Sequence, residues 1–178
     1  MSPFKAALFV LLAANAVWFA LGESPSKAID ASAWLVLLAL FVAEADFGHH
    51  LAGGRSRSMV RVARVVAGTA VIAAMIGYVF EDNALDAVNS TVWIAVVIVL
   101  EIELRFPAPA ERRRRALSAI ALVLYGSLGV FVVLWAIQGM WMDAYDAVLW
   151  LIAFAALELK LARRRTARAP GGAAVMRG

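Results

Sequence analysis

Three glutamates interrupt hydrocarbon at equal intervals. Glu44, Glu101 and Glu158 stand 57 and 57 residues apart, in LFVAEADF, VIVLEIEL and AFAALELK. The residues two positions on are Asp46, Glu103 and Lys160. A carboxylate in a medium of low dielectric has two uses. It pairs with a base in a structural network, or it takes up and releases a proton or a cation.

Bases stand within reach. The segment RSRSMVRVARVV carries Arg57, Arg61 and Arg64 at intervals of four and three, which is one helical face. Arg105 follows Glu101 by four residues, with the acid N-terminal, the favourable order for a helix pair. The expected site is therefore Glu44, Asp46, Glu101, Glu103 and Glu158 with Arg57, Arg61, Arg64 and Arg105. It is either an ion-pair network at one rim of a bundle or a ring of three glutamates that binds a cation or relays protons. Arg61 and Arg64 alone keep the three-residue spacing of a voltage sensor, and they stay at one end of their segment.

Other chemistry has little to stand on. EADFGHH holds Asp46, His49 and His50, and these are the only histidines. Adjacent ligands at one rim are a poor metal signal, and a transmembrane haem needs histidines on separate helices, so no metal or cofactor is expected. There is no cysteine, which removes thiolate chemistry and disulfides. No glycine-rich phosphate loop, nucleophile elbow or histidine-bearing triad is present, and an enzyme is the least supported reading.

The elements that would position these residues are membrane-spanning helices. The chain is 63% hydrophobic and 17% charged over 178 residues, with mean hydropathy +0.81. That leaves too little polar surface to cover a globule. Six apolar segments fit, at 4–21, 31–47, 59–80, 84–105, 116–138 and 143–163. Almost nothing is left over, so no soluble catalytic or binding domain is expected. The first segment is read as a retained helix, since no small-residue cleavage site precedes GESPSKAID.

Charge sets the expected orientation. Sixteen of the seventeen basic residues fall on one side of these segments, and Lys27 stands alone on the other. Positive residues in short loops remain cytoplasmic, so both termini are expected inside, in a bacterial inner membrane. The basic balance follows from topology and does not indicate nucleic acid. Arg112, Arg113, Arg114 and Arg115, with Arg163, Arg164 and Arg165, are placed to meet anionic lipid headgroups.

The outer loops carry Glu23, Asp30, Glu81, Asp82, Asp86, Asp143 and Asp146. Helix capping is the ordinary role for aspartates at helix starts, and a cation-attracting mouth is the alternative. Trp34, Trp93 and Trp150 lie near the same ends and fit an interfacial tryptophan belt. Asn15, in mid-helix, calls for an interhelical hydrogen bond, and Tyr125, Gly126, Ser127 and Gly129 form a small-residue patch suited to close packing.

The glutamate spacing suggests three two-helix hairpins in parallel orientation, related by a pseudo-threefold axis along the membrane normal. The expected fold is thus all-α: a six-helix transmembrane bundle over 1–165, with repeats at about 1–52, 53–109 and 110–165, and a disordered cytoplasmic tail over 166–178. In outline this resembles the mitochondrial carriers. The acids here lie on even-numbered helices with no preceding proline, so that family's function does not carry over. The expected role is a membrane anchor, assembly factor or subunit of a larger complex, with a membrane-protein partner or a second copy of the chain as partner. The alternative is a small cation- or proton-coupled transporter using Glu44, Glu101 and Glu158.

Overall fold

The computed structural model describes residues 3–47, 54–106 and 112–168, without the side chains of 45–47, 104–105 and 160–168. Six helices account for nearly all of them: α1 Pro3–Gly22, α2 Pro25–Phe47, α3 Gly54–Phe80, α4 Ala84–Arg105, α5 Arg114–Ile137 and α6 Trp141–Arg168. No strand occurs among the described residues. The expected segments match these helices to within a few residues, except that α2 and α3 start earlier and α6 runs past the expected tail boundary to Arg168.

Five helices, α1 to α5, are long and apolar enough to cross a membrane. The sixth has the length, but Asp143, Asp146 and Glu158 lower its apolar character. Leu21, Phe80, Leu122 and Ile137 are each more than 70% exposed, which hydrocarbon tolerates and water does not. The molecule is an apolar helical bundle suited to a membrane.

Short turns build the hairpins. Ser24 caps α2 by accepting a hydrogen bond from Lys27 N at 3.3 Å, and Pro25 takes the first helical position, where its missing N–H costs nothing. Asn83 caps α4 by accepting from Asp86 N at 3.2 Å. At the ends of α3 and α5 the chain closes through Asn83 N to Tyr78 O and Met140 N to Trp135 O, both 2.9 Å. Asp82, at φ 55°, and Gly139, at φ 78°, hold the left-handed position that this closure requires. The caps are therefore Ser24 and Asn83. Of the aspartates expected to cap, Asp30, Asp86, Asp143 and Asp146 turn inward instead, and Asp82 stays exposed in its turn.

Each helix packs on its neighbours in sequence, and α6 closes on α1, so the six form a ring. Side-chain contacts fix the directions. The N-termini of α2, α4 and α6 meet at the end that carries the three short turns, and the C-termini of α2 and α4 meet the start of α3 at the opposite, basic end.

The core lies inside this ring, and tryptophan fills its middle. Trp34, Trp93 and Trp150 are 6%, 5% and 6% exposed. Trp34 lies 6.1 Å from Trp93 and 6.3 Å from Trp150 between ring centroids, and Phe154 touches all three. The expectation of an interfacial belt fails here: these indoles face the interior, not the lipid. The small-residue patch also differs from expectation, because a Cβ at Gly126 or Gly129 would meet nothing within 4 Å. Close approach occurs at Gly77, where a Cβ would collide with the Ser26 hydroxyl of α2.

Buried positions recur along the chain at intervals of 59 and then 57 residues. They include Leu12, Val71 and Leu128; Trp34, Trp93 and Trp150; Phe41, Leu100 and Leu157.

Candidate functional site

Glu44, Glu101 and Glu158 lie toward the basic end of the bundle. Arg64 lies 2.5 Å from Glu44 through Nη2 and 3.9 Å from Glu101 through Nη1, and its guanidinium stands 5.3 Å from the Phe41 ring. Helices α2, α3 and α4 are thereby joined by one cation. Glu158 is held elsewhere: Tyr125 of α5 donates to its Oε1 at 2.6 Å. Two of the three glutamates thus share an arginine and the third does not. Glu103 is half-buried, and Arg57 and Arg61 are exposed. Arg112, Arg113, Arg114 and Arg115 are exposed at the start of α5. The side chains of Asp46, Arg105, Lys160, Arg163, Arg164 and Arg165 lie outside the described residues, as do His49 and His50. Among the described residues no group of acids and histidines could hold a metal.

The larger polar constellation lies at the other end. Lys27, the lone basic residue of that side, is 7% exposed. Its Nζ donates to Asp143 Oδ1 at 2.6 Å and lies 3.7 Å from Asp86 and 3.6 Å from Glu23. Lys27 and Asp86 are among the few charged side chains that are buried, and each compensates the other's desolvation. Asn83 Nδ2 also donates to Asp86 Oδ2 at 2.5 Å.

Toward the middle of the bundle stand Asp30, Asn89 and Asp146. Tyr78 donates to Asp30 Oδ2 at 3.4 Å, and Asn15 donates to Asp146 Oδ1 at 2.8 Å. The Asn15 contact is the interhelical bond that its position calls for, and its partner is an acid. Deeper still lie Trp34, Trp93 and Trp150. These residues line a partly open cavity of about 50 Å³, with Phe19, Tyr78 and Trp135 on its walls. Lys27 and Trp34 are seven residues apart, so the cavity spans about 10 Å of helix.

Four carboxylates and one ammonium line this space. Its buried, unpartnered atoms are Asp30 Oδ1, Asn89 Oδ1 and the Trp135 indole nitrogen. Outside the spans, Ser26 donates to Glu81 Oε1 at 2.7 Å and holds that carboxyl below the usual range.

The cavity has a pattern that sequence reading overlooked. Lys27, Asp30, Ala31 and Trp34 fall at positions 0, 3, 4 and 7, one face of α2. Asp86, Asn89, Ser90 and Trp93 do the same on α4, and Asp143, Asp146, Ala147 and Trp150 on α6. The wall aromatics Phe19, Tyr78 and Trp135 keep the same intervals of 59 and 57. Alignment on the glutamates hides this register, because Glu44 is out of step by two residues. Alignment on the tryptophans reveals it.

No protein-family model matches this chain, and neither does any curated protein or solved structure.

Proposed function

We propose that the chain is a six-span membrane protein that binds a cation, protons included, in the tryptophan-floored cavity, as the binding step of transport. One observation carries this reading. Four carboxylates against a single ammonium, in a cavity within an apolar bundle, cannot all stay ionised without further positive charge. This moves the cation site away from Glu44, Glu101 and Glu158. In this reading those residues, with Arg64 and Tyr125, tie the helices together at the basic end.

The positive-inside rule places the basic end in the cytoplasm and the cavity toward the outer side of a bacterial inner membrane. The exposed Arg112 to Arg115 then meet anionic headgroups. The recurring buried positions and the repeated 0, 3, 4, 7 face support three two-helix repeats about one axis, with the register set by the tryptophans.

A second reading, an anchor, assembly factor or subunit, is favoured by the unbroken helices, since transporter sites are usually built from discontinuous ones. Reconstitution into lipid vesicles separates the two. Under a cation or proton gradient we expect flux that is lost in Asp30→Asn and Asp146→Asn and survives in Glu44→Gln, Glu101→Gln and Glu158→Gln. Absence of flux under every gradient removes the transport reading. Flux lost only in the glutamate variants returns the site to the basic end.

A further inference from the structure

We infer that the cavity takes a small organic ammonium of about four heavy atoms that also carries a hydrogen-bond acceptor, an inference resting on the cation-site reading above. The protein already holds one ammonium in this setting. Lys27 Nζ, between Asp143 and Asp86, also stands 5.7 Å from the centre of the Phe19 ring. Carboxylates and an aromatic face are the partners that a desolvated ammonium needs.

The next layer is set up for another. No basic residue pairs with Asp30 or Asp146 among the described residues. Asp30 Oδ1 and Asn89 Oδ1 are shut off from solvent and have no hydrogen-bond partner. Two acceptors on different helices, α2 and α4, suit directional N–H donors on an alkyl body. A metal ion needs oxygens converging on one point, and no such group exists among the described residues.

Trp135 supplies a donor on the cavity wall. It is 3% exposed, lines the cavity, and its Nε1–H has no acceptor. A bare alkylammonium leaves that donor unanswered, and a ligand hydroxyl satisfies it. Size follows from volume. A water needs roughly 10–15 Å³ on this measure, so about 50 Å³ admits about four such groups. Ethanolammonium has that many heavy atoms, and its ammonium and hydroxyl lie at opposite ends.

The test is a titration of the whole protein in lipid nanodiscs at neutral pH, read by tryptophan fluorescence and by calorimetry. The probes are ethanolammonium, methylammonium, tetramethylammonium, potassium and calcium. Ethanolammonium is expected to bind saturably, and tetramethylammonium, which has no N–H donor, is expected not to. Asp30→Asn should weaken ethanolammonium about tenfold or more, whereas Arg115→Gln should leave it unchanged. Trp135→Phe should weaken ethanolammonium and spare methylammonium, an effect that general misfolding cannot produce. Saturable binding of potassium or calcium without either protonated amine overturns the ammonium class and leaves a cation site standing. Equal affinity for ethanolammonium in wild type and Trp135→Phe overturns the acceptor requirement. Absence of binding by any probe to the wild-type protein overturns this inference, and vesicle flux then decides separately whether protons alone use the cavity.

Discussion

Lys27 is the residue on which the charges at the short-turn end depend. It is the only base paired with Asp86 and Asp143 among the described residues, and both acids lie within hydrogen-bonding or ion-pair distance of its ammonium. Removing one partner of a buried pair leaves the other charge uncompensated, which costs about 3 kcal/mol or more. Lys27→Met should therefore lower stability by roughly that amount at neutral pH. The deficit should shrink as pH falls through the carboxylate range, because protonation removes the stranded charges. Thermal unfolding in detergent micelles, followed by tryptophan fluorescence, measures both effects. Equal stability of variant and wild type at neutral pH would show that the pair contributes nothing net. The sequence presented Lys27 only as an exception to a charge rule. Its role came from three helix starts meeting, and chain order alone does not show which starts meet.

At the scale of helices, the α2–α3 contact depends on Gly77. A Cβ there would collide with Ser26 Oγ, the same hydroxyl that holds Glu81. Gly77→Ala should force that hydroxyl aside and destabilise the bundle by about 1–3 kcal/mol, as overpacking does. Ser26→Ala in the same chain should relieve part of the cost, so the double variant is less impaired than the sum of the singles. A double-mutant cycle on thermal stability tests this, and simple additivity would refute direct contact. Helix boundaries were legible where turn residues such as Asn83 and Gly139 stand between apolar runs, but α2 starts at Pro25, well before the expected 31, because its first turns are polar. The inward face of each even helix was equally present in the sequence as a 0, 3, 4, 7 pattern. It escaped notice because the charged glutamates offered a competing alignment.

For the whole molecule, orientation would decide from which compartment the proposed cation enters. The chain has no cysteine, so single introduced ones are clean reporters. In right-side-out vesicles, Gln138→Cys should react with a membrane-impermeant maleimide, and Arg115→Cys should react only after permeabilisation. The reverse pattern would place the cavity on the cytoplasmic side. Both positions are exposed, one at each end of α5.

The sequence by itself determined the solvent, the number of helices, most of their limits apart from the starts of α2 and α3 and the end of α6, and the end that carries positive charge. Those properties follow from local composition and from turn chemistry, which act over a few residues at a time. The tertiary structure decided which charges meet. It brought Glu44 and Glu101 to Arg64 but gave Glu158 to Tyr125. It turned three tryptophans from an expected lipid belt into the floor of a cavity, and it turned expected helix caps into the lining above that floor. The reason is geometric. A helix face is defined by its sequence, but whether that face meets lipid or a neighbour depends on how the ring closes, here through α6 returning to α1.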